Sequence, residues 1–201
     1  MPDSLFADRE PWLAEASHLL LHDHILPLMP ALPAPPVRVP VGYPRGSRGG
    51  RSSFGACYPR AQSADGSNEI YISPELSDPY DVLSVLAHEL CHAADDCRDG
   101  HRGRFVRLAR GIGLEGPLTA THAGAELVSV FAGILQMVGT YPHAALHGRA
   151  TKQTVRQRKC QCDQCGLIAR MAASTIAVVS AGNGGIGWCP ACGTLSLSLD
   201  V

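Results

Sequence analysis

Two histidines four residues apart flank a glutamate in the segment His88-Glu89-Leu90-Cys91-His92. On a helix, residues four apart lie one turn apart on the same face, so both imidazoles can bind one metal ion. Glu89 then points to the neighbouring side of that face, where it can take a proton from a water on the metal without being a ligand. The motif therefore predicts a zinc hydrolase with Glu89 as the general base. The alternative is a buried helix with two hydrogen-bonded histidines.

A third ligand is expected shortly after this motif. The acidic stretch that ends at Gly100 can end the helix and turn the chain back. This turn would bring His101, at the start of the next helix, under the metal. Glu115 and Glu126 are the alternative third ligands, and the aspartates of the turn are weaker candidates.

The sequence around the motif predicts the helix that the motif needs. Asp78 precedes Pro79, which suits a first helical turn, and Asp81 follows three residues after Asp78, as in an acidic capping box. Apolar residues then recur at helical spacing: Val82, Val85, Leu86, Leu90 and Ala93. One stripe can pack into a core while the two histidines face away from it.

Two cysteine pairs near the C-terminus have the spacing of zinc knuckles. Each pair has two intervening residues and a following glycine: Cys162, Cys165 and Gly166, then Cys189, Cys192 and Gly193. Four thiolates in this pattern form a closed tetrahedral site, so a second, structural zinc is expected in a zinc ribbon. Short strands are predicted at 167–171, 175–180 and 194–199. Three other cysteines are expected to be free thiols: Cys57, Cys91 and Cys97.

Patterning elsewhere predicts an α+β fold. Helices are expected at 11–26 and 121–138, and strands at 37–43, 54–58 and 69–73. The strands would form a small antiparallel or mixed sheet that covers the motif helix. An edge strand beside such a helix can hold an extended peptide, and the sequence leaves open which strand does so.

Length and composition bound the organisation of the chain. The 201 residues, 45% of them hydrophobic, suit a domain at 1–148 followed by a small module at 149–201. No apolar run reaches the roughly 18 residues that span a bilayer, and no cationic segment precedes the first apolar stretch. We therefore expect a cytoplasmic monomer with no membrane contact.

The net charge of −1 hides an asymmetry between the two halves. Residues 1–100 carry 7 Lys and Arg against 14 Asp and Glu, whereas residues 101–201 carry 10 against 4. The basic residues concentrate at 149–170, where Asp163 is the one acidic residue. This run predicts either a solvated linker or a nucleic-acid contact, for which we select Arg156, Arg158 and Lys159.

Four segments together resemble the SprT-like metalloprotease family, most closely its phage-encoded branch: 88–92, 101–105 (His-Arg-Gly-Arg-Phe), 113–121 (Gly-Leu-Glu-Gly-Pro-Leu-Thr-Ala-Thr) and 141–143 (Tyr-Pro-His). The resemblance implies a zincin-like protease domain with a small sheet and three to four helices. It implies a catalytic zinc on His88, His92 and His101, with Glu89 as the base. Many family members have Gly directly after the third histidine, where this chain has Arg102.

The expected function is zinc-dependent hydrolysis of a protein or peptide, with two zinc ions, one catalytic and one structural. Tyr141 and His143 are candidates to stabilise the oxyanion of the tetrahedral intermediate. The resemblance also implies a DNA-associated substrate, since eukaryotic relatives cleave proteins crosslinked to DNA. The competing hypotheses are a non-catalytic adaptor that binds nucleic acid or a transcription complex, and a zinc-dependent nuclease or amidase.

Overall fold

The computed structural model describes residues 3–43, 53–146, 157–172, 187–193 and 195–199. The chain divides into two compact units, Met1–His147 and Gly148–Val201. Helices and small sheets make it an α+β protein. Arg156 and the strand predicted at 175–180 lie outside the described residues. In the part of the chain that is described, no helix is long and apolar enough to cross a membrane.

The described residues of the first unit form four α-helices and five short strands. The helices are α1 (Arg9–Leu19), α2 (Pro79–Ala94), α3 (Gly103–Gly111) and α4 (Ala125–Val138). The strands are β1 (Val37–Arg38), β2 (Gly55–Tyr58), β3 (Asn68–Ile72), β4 (Leu114–Glu115) and β5 (His122–Ala123). A π-helical segment, Leu20–Ile25, and a 3-10 turn, Leu26–Leu28, continue α1.

Helix α2 lies at the centre of this unit, and the helix predicted around the motif is confirmed. The Asp78 carboxylate caps it by accepting the N–H groups of Tyr80 and Asp81 at 2.9 and 3.2 Å. Pro79 occupies the first helical position. The buried face of α2 belongs to one core with large fully buried side chains from the other helices: Trp12 of α1, Phe105 of α3 and Phe131 of α4.

The sheet of the first unit has the strand order β1-β3-β2. Strand β1 runs parallel to β3, and β2 runs antiparallel to it. The sheet is therefore mixed, which is one of the two arrangements, antiparallel or mixed, that the sequence predicted. The strand predicted at 37–43 is shorter than expected, because after Arg38 only Val41 bridges to β3, at Ile72. Among the described strands β2 lies at an edge of this sheet, and it packs against α2.

The prediction of a helix from residue 121 is wrong at its start. Helix α4 begins at Ala125, because His122 and Ala123 pair with Glu115 and Leu114 in an antiparallel ladder. This small ladder fixes the segment before it, 119–121, beside α2. Tertiary pairing has overridden the local helical preference here.

The described residues of the second unit form a four-stranded antiparallel sheet with the order β7-β6-β9-β8. Its strands are β6 (Arg158–Cys162), β7 (Ile168–Met171), β8 (Gly187–Trp188) and β9 (Leu195–Leu199). The strands predicted at 167–171 and 194–199 are confirmed. Its small buried cluster consists of Cys160, Cys162 and Cys189, against which Leu167 and Met171 pack.

Candidate metal centres and active site

Three imidazoles converge at the first candidate metal site. The Nε2 atom of His101 lies 3.3 Å from the Nε2 atoms of both His88 and His92. Nitrogens bound at about 2.0–2.1 Å to a tetrahedral zinc lie about 3.3–3.4 Å apart, so the donor set fits zinc in size as well as in type. Glu115 and Glu126, the alternative third ligands, are exposed and do not belong to this group of donors.

The backbone after α2 brings His101 to the other two histidines. Asp96 and Cys97 adopt left-handed φ angles of 58° and 57°, and the Cys97 N–H donates to the His92 carbonyl at 2.8 Å. The reversal places His101 directly before Arg102, the N-cap residue of α3, and so at the start of this helix. Gly103, with φ 45°, follows, and a Cβ there would collide with the Asp99 carboxylate. A glycine is therefore required at position 103.

Phe105 forms an apolar support under all three imidazoles. Its ring stacks on that of His92 with centroids 4.1 Å apart, and lies 4.9 Å from His88 and 5.0 Å from His101. The side chain is fully buried. In the sequence Phe105 is one of the apolar residues that mark the helix after His101, and nothing in its spacing indicates the contact with the histidines.

A hydroxyl orients one of the ligands. Thr121 Oγ1 lies 2.8 Å from Nδ1 of His88, and accepts its proton when Nε2 faces a metal. Metal-bound imidazoles generally need such a partner on the second ring nitrogen. The sequence offers Glu126 and His122, which are four residues apart, as candidates for such a partner, with an ordinary helical pair as the alternative. Glu126 and His122 are both exposed, and the partner of His88 is Thr121, the residue directly before His122.

The electrostatics of the site suit metal binding and proton transfer. Burial, followed by repulsion from neighbouring imidazoles, lowers the pKa of His88 to about 4 and that of His92 to about 3. Both rings are therefore neutral near pH 7, as metal ligands must be. Burial raises the pKa of Glu89 to about 8, and a hydrogen bond from the Cys57 N–H opposes this shift. A carboxyl group with such a pKa can both accept and release a proton near neutral pH.

Strand β2 approaches Glu89 so closely that only glycine fits at position 55. A Cβ on Gly55 would lie 2.6 Å from Val85 Cγ1, 2.7 Å from Glu89 Oε1 and 2.9 Å from Glu89 Cγ. The local sequence does not reveal the need for glycine here, because the constraint comes from Glu89, 34 positions further along the chain. Gly55 therefore belongs to the candidate site.

Replacing Gly55 with Ala is expected to lower turnover by about 100-fold, because displacing a reacting group by about 1 Å can cost that much. Zinc content should not change, since no ligand moves directly. The matched control is Gly133→Ala on α4, where a Cβ meets nothing within 4 Å. That variant should keep full activity and gain about 0.5–1 kcal/mol in the free energy of unfolding. Equal turnover in the two variants would contradict the close fit of β2 on Glu89.

A cleft of about 480 Å³ opens beside His88 and Glu89. It is lined by Ser53, Phe54 and Gly55 at the start of β2, and by the segment of Thr119, Ala120 and Thr121. Val85 also lines it. The cleft thus runs between an edge strand and a loop, with the candidate base and one candidate ligand at its surface.

Tyr141 and His143 have contacts that tie the segment after α4 to other elements. The ring of Tyr141 lies 4.9 Å from that of Trp12 on α1. His143 Nδ1 lies 3.0 Å from the Arg9 guanidinium, and its Nε2 lies 2.9 Å from the Pro74 carbonyl oxygen. These contacts support a structural role for the side chains of Tyr141 and His143.

The four predicted ribbon cysteines form the second candidate metal site. The Sγ atoms of Cys162 and Cys192 lie 3.7 Å apart, and those of Cys165 and Cys189 lie 3.6 Å apart. Four sulfurs at about 2.3 Å from a tetrahedral zinc lie about 3.8 Å apart, so this set also fits zinc. In both knuckles the glycine has a left-handed φ, 73° and 68°, and its N–H donates to the carbonyl of the first cysteine at 2.9 Å.

Two of the three predicted nucleic-acid contacts lie on β6. Arg158 is exposed, and Lys159 stands directly opposite Arg170 of β7. The Lys159 ammonium donates to the Gln161 side chain at 3.0 Å. Like charges directly opposite each other destabilise a strand pair, and an anion bound between them would relieve the repulsion.

The two donor sets differ in what they can do. Three neutral imidazoles leave one tetrahedral position for a reactant, whereas four thiolates fill the coordination shell. The first set therefore suits catalysis and the second suits structural support.

Comparisons of the chain with protein-family models, with curated proteins and with solved structures found no match.

Proposed function

We propose that the first unit is a zincin-like, zinc-dependent peptidase that hydrolyses extended segments of protein chains. The observation that carries the proposal is the convergence of three imidazoles, with Nε2 of His101 at 3.3 Å from both others, beside the buried carboxylate of Glu89 at the edge of an open cleft. A site that only stabilised the fold would not need a buried, protonatable carboxylate next to its ligands.

His88, His92 and His101 would hold the zinc. When bound, zinc polarises a carbonyl oxygen and lowers the pKa of water, which supplies a nucleophile at neutral pH. Glu89 accepts the proton of the attacking water and passes it to the leaving nitrogen. Close packing against Gly55 of β2 holds the Glu89 side chain in place, while Phe105 and Thr121 fix the orientation of the imidazoles.

Strand β2 is the candidate surface for the substrate backbone. The Ser73 N–H donates to the Phe54 carbonyl, which makes Phe54 and Ser73 a hydrogen-bonded pair. In an antiparallel ladder such pairs alternate, so the backbone groups of Gly55 point to the free edge of β2. A peptide can add to this edge in extended form, with main-chain hydrogen bonds that do not depend on its sequence. Unfolded proteins are therefore the expected substrate class.

The test is selective removal of metal from the purified protein. We expect two equivalents of zinc, and a mild chelator should first remove the one held by three imidazoles, because its fourth position is open to water. Hydrolysis of an unfolded protein should cease at that point and return when zinc is added. The Cys162→Ser variant is the control, since it should lose the other equivalent. A single zinc, lost in Cys162→Ser, would refute the peptidase, and cleavage of DNA in place of protein would assign a nuclease.

We also infer a second activity for the ribbon, namely contact with nucleic acid. The supporting observation is the cross-strand pair of like charges, Lys159 and Arg170. The exposed Arg158 precedes Lys159 on β6, so its side chain faces the other side of the sheet. Such cations neutralise phosphates and release counterions, which gives weak and sequence-independent binding. The acidic first half of the chain would oppose binding elsewhere.

Replacing Arg158, Lys159 and Arg170 together with Gln in the full chain is expected to weaken DNA binding at low salt. The slope of log affinity against log salt should fall by up to about three, because each of the three cations neutralises one phosphate. Cleavage of a free, unfolded protein should not change. Arg107→Gln, an exposed change on α3, should leave the slope unchanged. If the triple variant bound DNA as well as the original protein does, the ribbon would be reassigned to protein contact or to structural support.

A further inference from the structure

Two thiols lie next to each other behind the candidate active site. The Sγ atoms of Cys57 on β2 and Cys97 in the turn after α2 are 3.4 Å apart, and both side chains are half-buried. A disulfide bond is about 2.05 Å long, so the two sulfurs need to approach by only about 1.4 Å to form one. No change of fold is needed for a movement of that size.

Backbone contacts hold both cysteines in place. Cys57 is paired with Ile70 in the β2–β3 ladder. Cys97 has a left-handed φ of 57°, which is uncommon for a residue with a side chain, and its N–H is bound to the His92 carbonyl. The structure around this turn maintains the conformation and thereby keeps the two sulfurs together.

Contacts of the preceding residue pin the turn to the end of β2. The Asp96 carboxylate accepts the Arg60 N–H at 2.9 Å and the Asn68 side-chain amide at 3.3 Å. It also forms an ion pair with the Arg60 guanidinium. The short distance between the thiols therefore follows from a network of contacts that joins β2, β3 and the turn.

The other described cysteines have different surroundings. Four belong to the thiolate group of the second unit, and Cys160 is buried beside them. Cys91 is fully buried within α2. Cys57 and Cys97 are thus a separate thiol pair, 40 residues apart in sequence and partly accessible to a small reagent.

We propose that Cys57 and Cys97 are a redox modification site that forms a reversible disulfide and thereby controls the position of Glu89. The bond itself does not depend on the peptidase assignment, whereas its effect on turnover rests on the proposed function. The link is short, because Glu89 packs against Gly55, two residues before Cys57 on β2, and the Cys97 N–H is bound to the carbonyl of His92. Movement of the two cysteines toward each other shifts the strand against which the base packs.

A hydroperoxide is the oxidant that the proposal requires. One thiolate of the pair attacks the peroxide oxygen, which breaks the O–O bond, releases hydroxide and leaves a sulfenic acid. The second thiol attacks that sulfur, and its proton leaves with the hydroxyl group as water. The two sulfurs have then lost two electrons and the peroxide has gained them. A dithiol reductant reverses the reaction by thiol–disulfide exchange.

The experiment treats the full, zinc-loaded chain with increasing hydrogen peroxide, blocks remaining thiols by alkylation and maps cross-linked peptides by mass spectrometry. We expect a peptide containing Cys57 joined to one containing Cys97, reversed by dithiothreitol. Peptidase turnover should fall at least about tenfold in the oxidised form and recover on reduction. Oxidation should also raise Tm by several degrees, because the bond closes a 40-residue loop.

Variants separate the possible outcomes. In Cys57→Ser and in Cys97→Ser, the ratio of oxidised to reduced turnover should be one, whereas Cys91→Ala should keep the cross-link and the tenfold ratio. If both thiols stay open to alkylation at peroxide levels that oxidise the ribbon cysteines, the redox site is refuted. If the cross-link forms and the ratio stays at one, control of Glu89 is refuted. A reduced chain with no peptidase activity would refute the proposed function, while peptide mapping would still decide whether the disulfide forms.

Discussion

The Glu89→Gln variant is expected to retain both zinc ions and the fold while its turnover on an unfolded protein falls by at least about 1000-fold. Glutamine has the same size and still accepts the hydrogen bond from the Cys57 N–H, but it cannot take a proton from water. Removal of a general base typically costs between about 100-fold and 10,000-fold, and here the same group also serves the leaving nitrogen. Steady-state kinetics, metal analysis and thermal unfolding measure the three quantities separately.

The matched control for this variant is Glu126→Gln. Glu126 is an exposed glutamate on α4, outside the group of metal donors, so its replacement should leave turnover unchanged. A Glu89→Gln variant that kept turnover within about threefold of the original protein would assign the proton transfer to another group. Loss of zinc from Glu89→Gln would instead identify Glu89 as a ligand.

The His101→Ala variant is expected to bind one zinc in place of two and to lose peptide hydrolysis. Loss of a partner that only orients a ligand already costs about 10-fold to 100-fold in metal affinity, so loss of a ligand should cost more than 100-fold. The fold should survive, because His101 lies in a turn and is half-buried. Metal analysis after dialysis, together with the turnover on unfolded protein, measures both effects.

His122→Ala is the control for this second variant, since His122 is an exposed histidine on β5 and does not belong to the donor group. It should keep two zinc ions and full turnover. If His101→Ala kept its zinc while Glu115→Ala or Glu126→Ala lost it, a carboxylate would be the third ligand. The geometry favours the imidazole, because both carboxylates lie outside the group that converges at 3.3 Å.

The sequence by itself determined the parts of this protein that depend on near neighbours in the chain. The helix that carries His88 and His92 follows from the Asp78 cap, Pro79 and the apolar spacing, all of which act within one or two turns. The two zinc knuckles are predictable in the same way, because each consists of two cysteines separated by two residues and followed by a glycine that can adopt a left-handed φ. His101 could be predicted as the third ligand because only a short turn separates it from the helix.

Only the tertiary structure decided which distant residues support those groups. Thr121 meets His88 across 33 positions, and Cys97 meets Cys57 across 40. Gly55 became part of the site because β2 is the edge strand that packs on α2, and Phe105 because α3 turns its ring under the imidazoles. Residue spacing shows the periodicity within one helix or strand. These contacts depend instead on how separate helices and strands pack against one another, and the close packing of the protein interior fixes that arrangement.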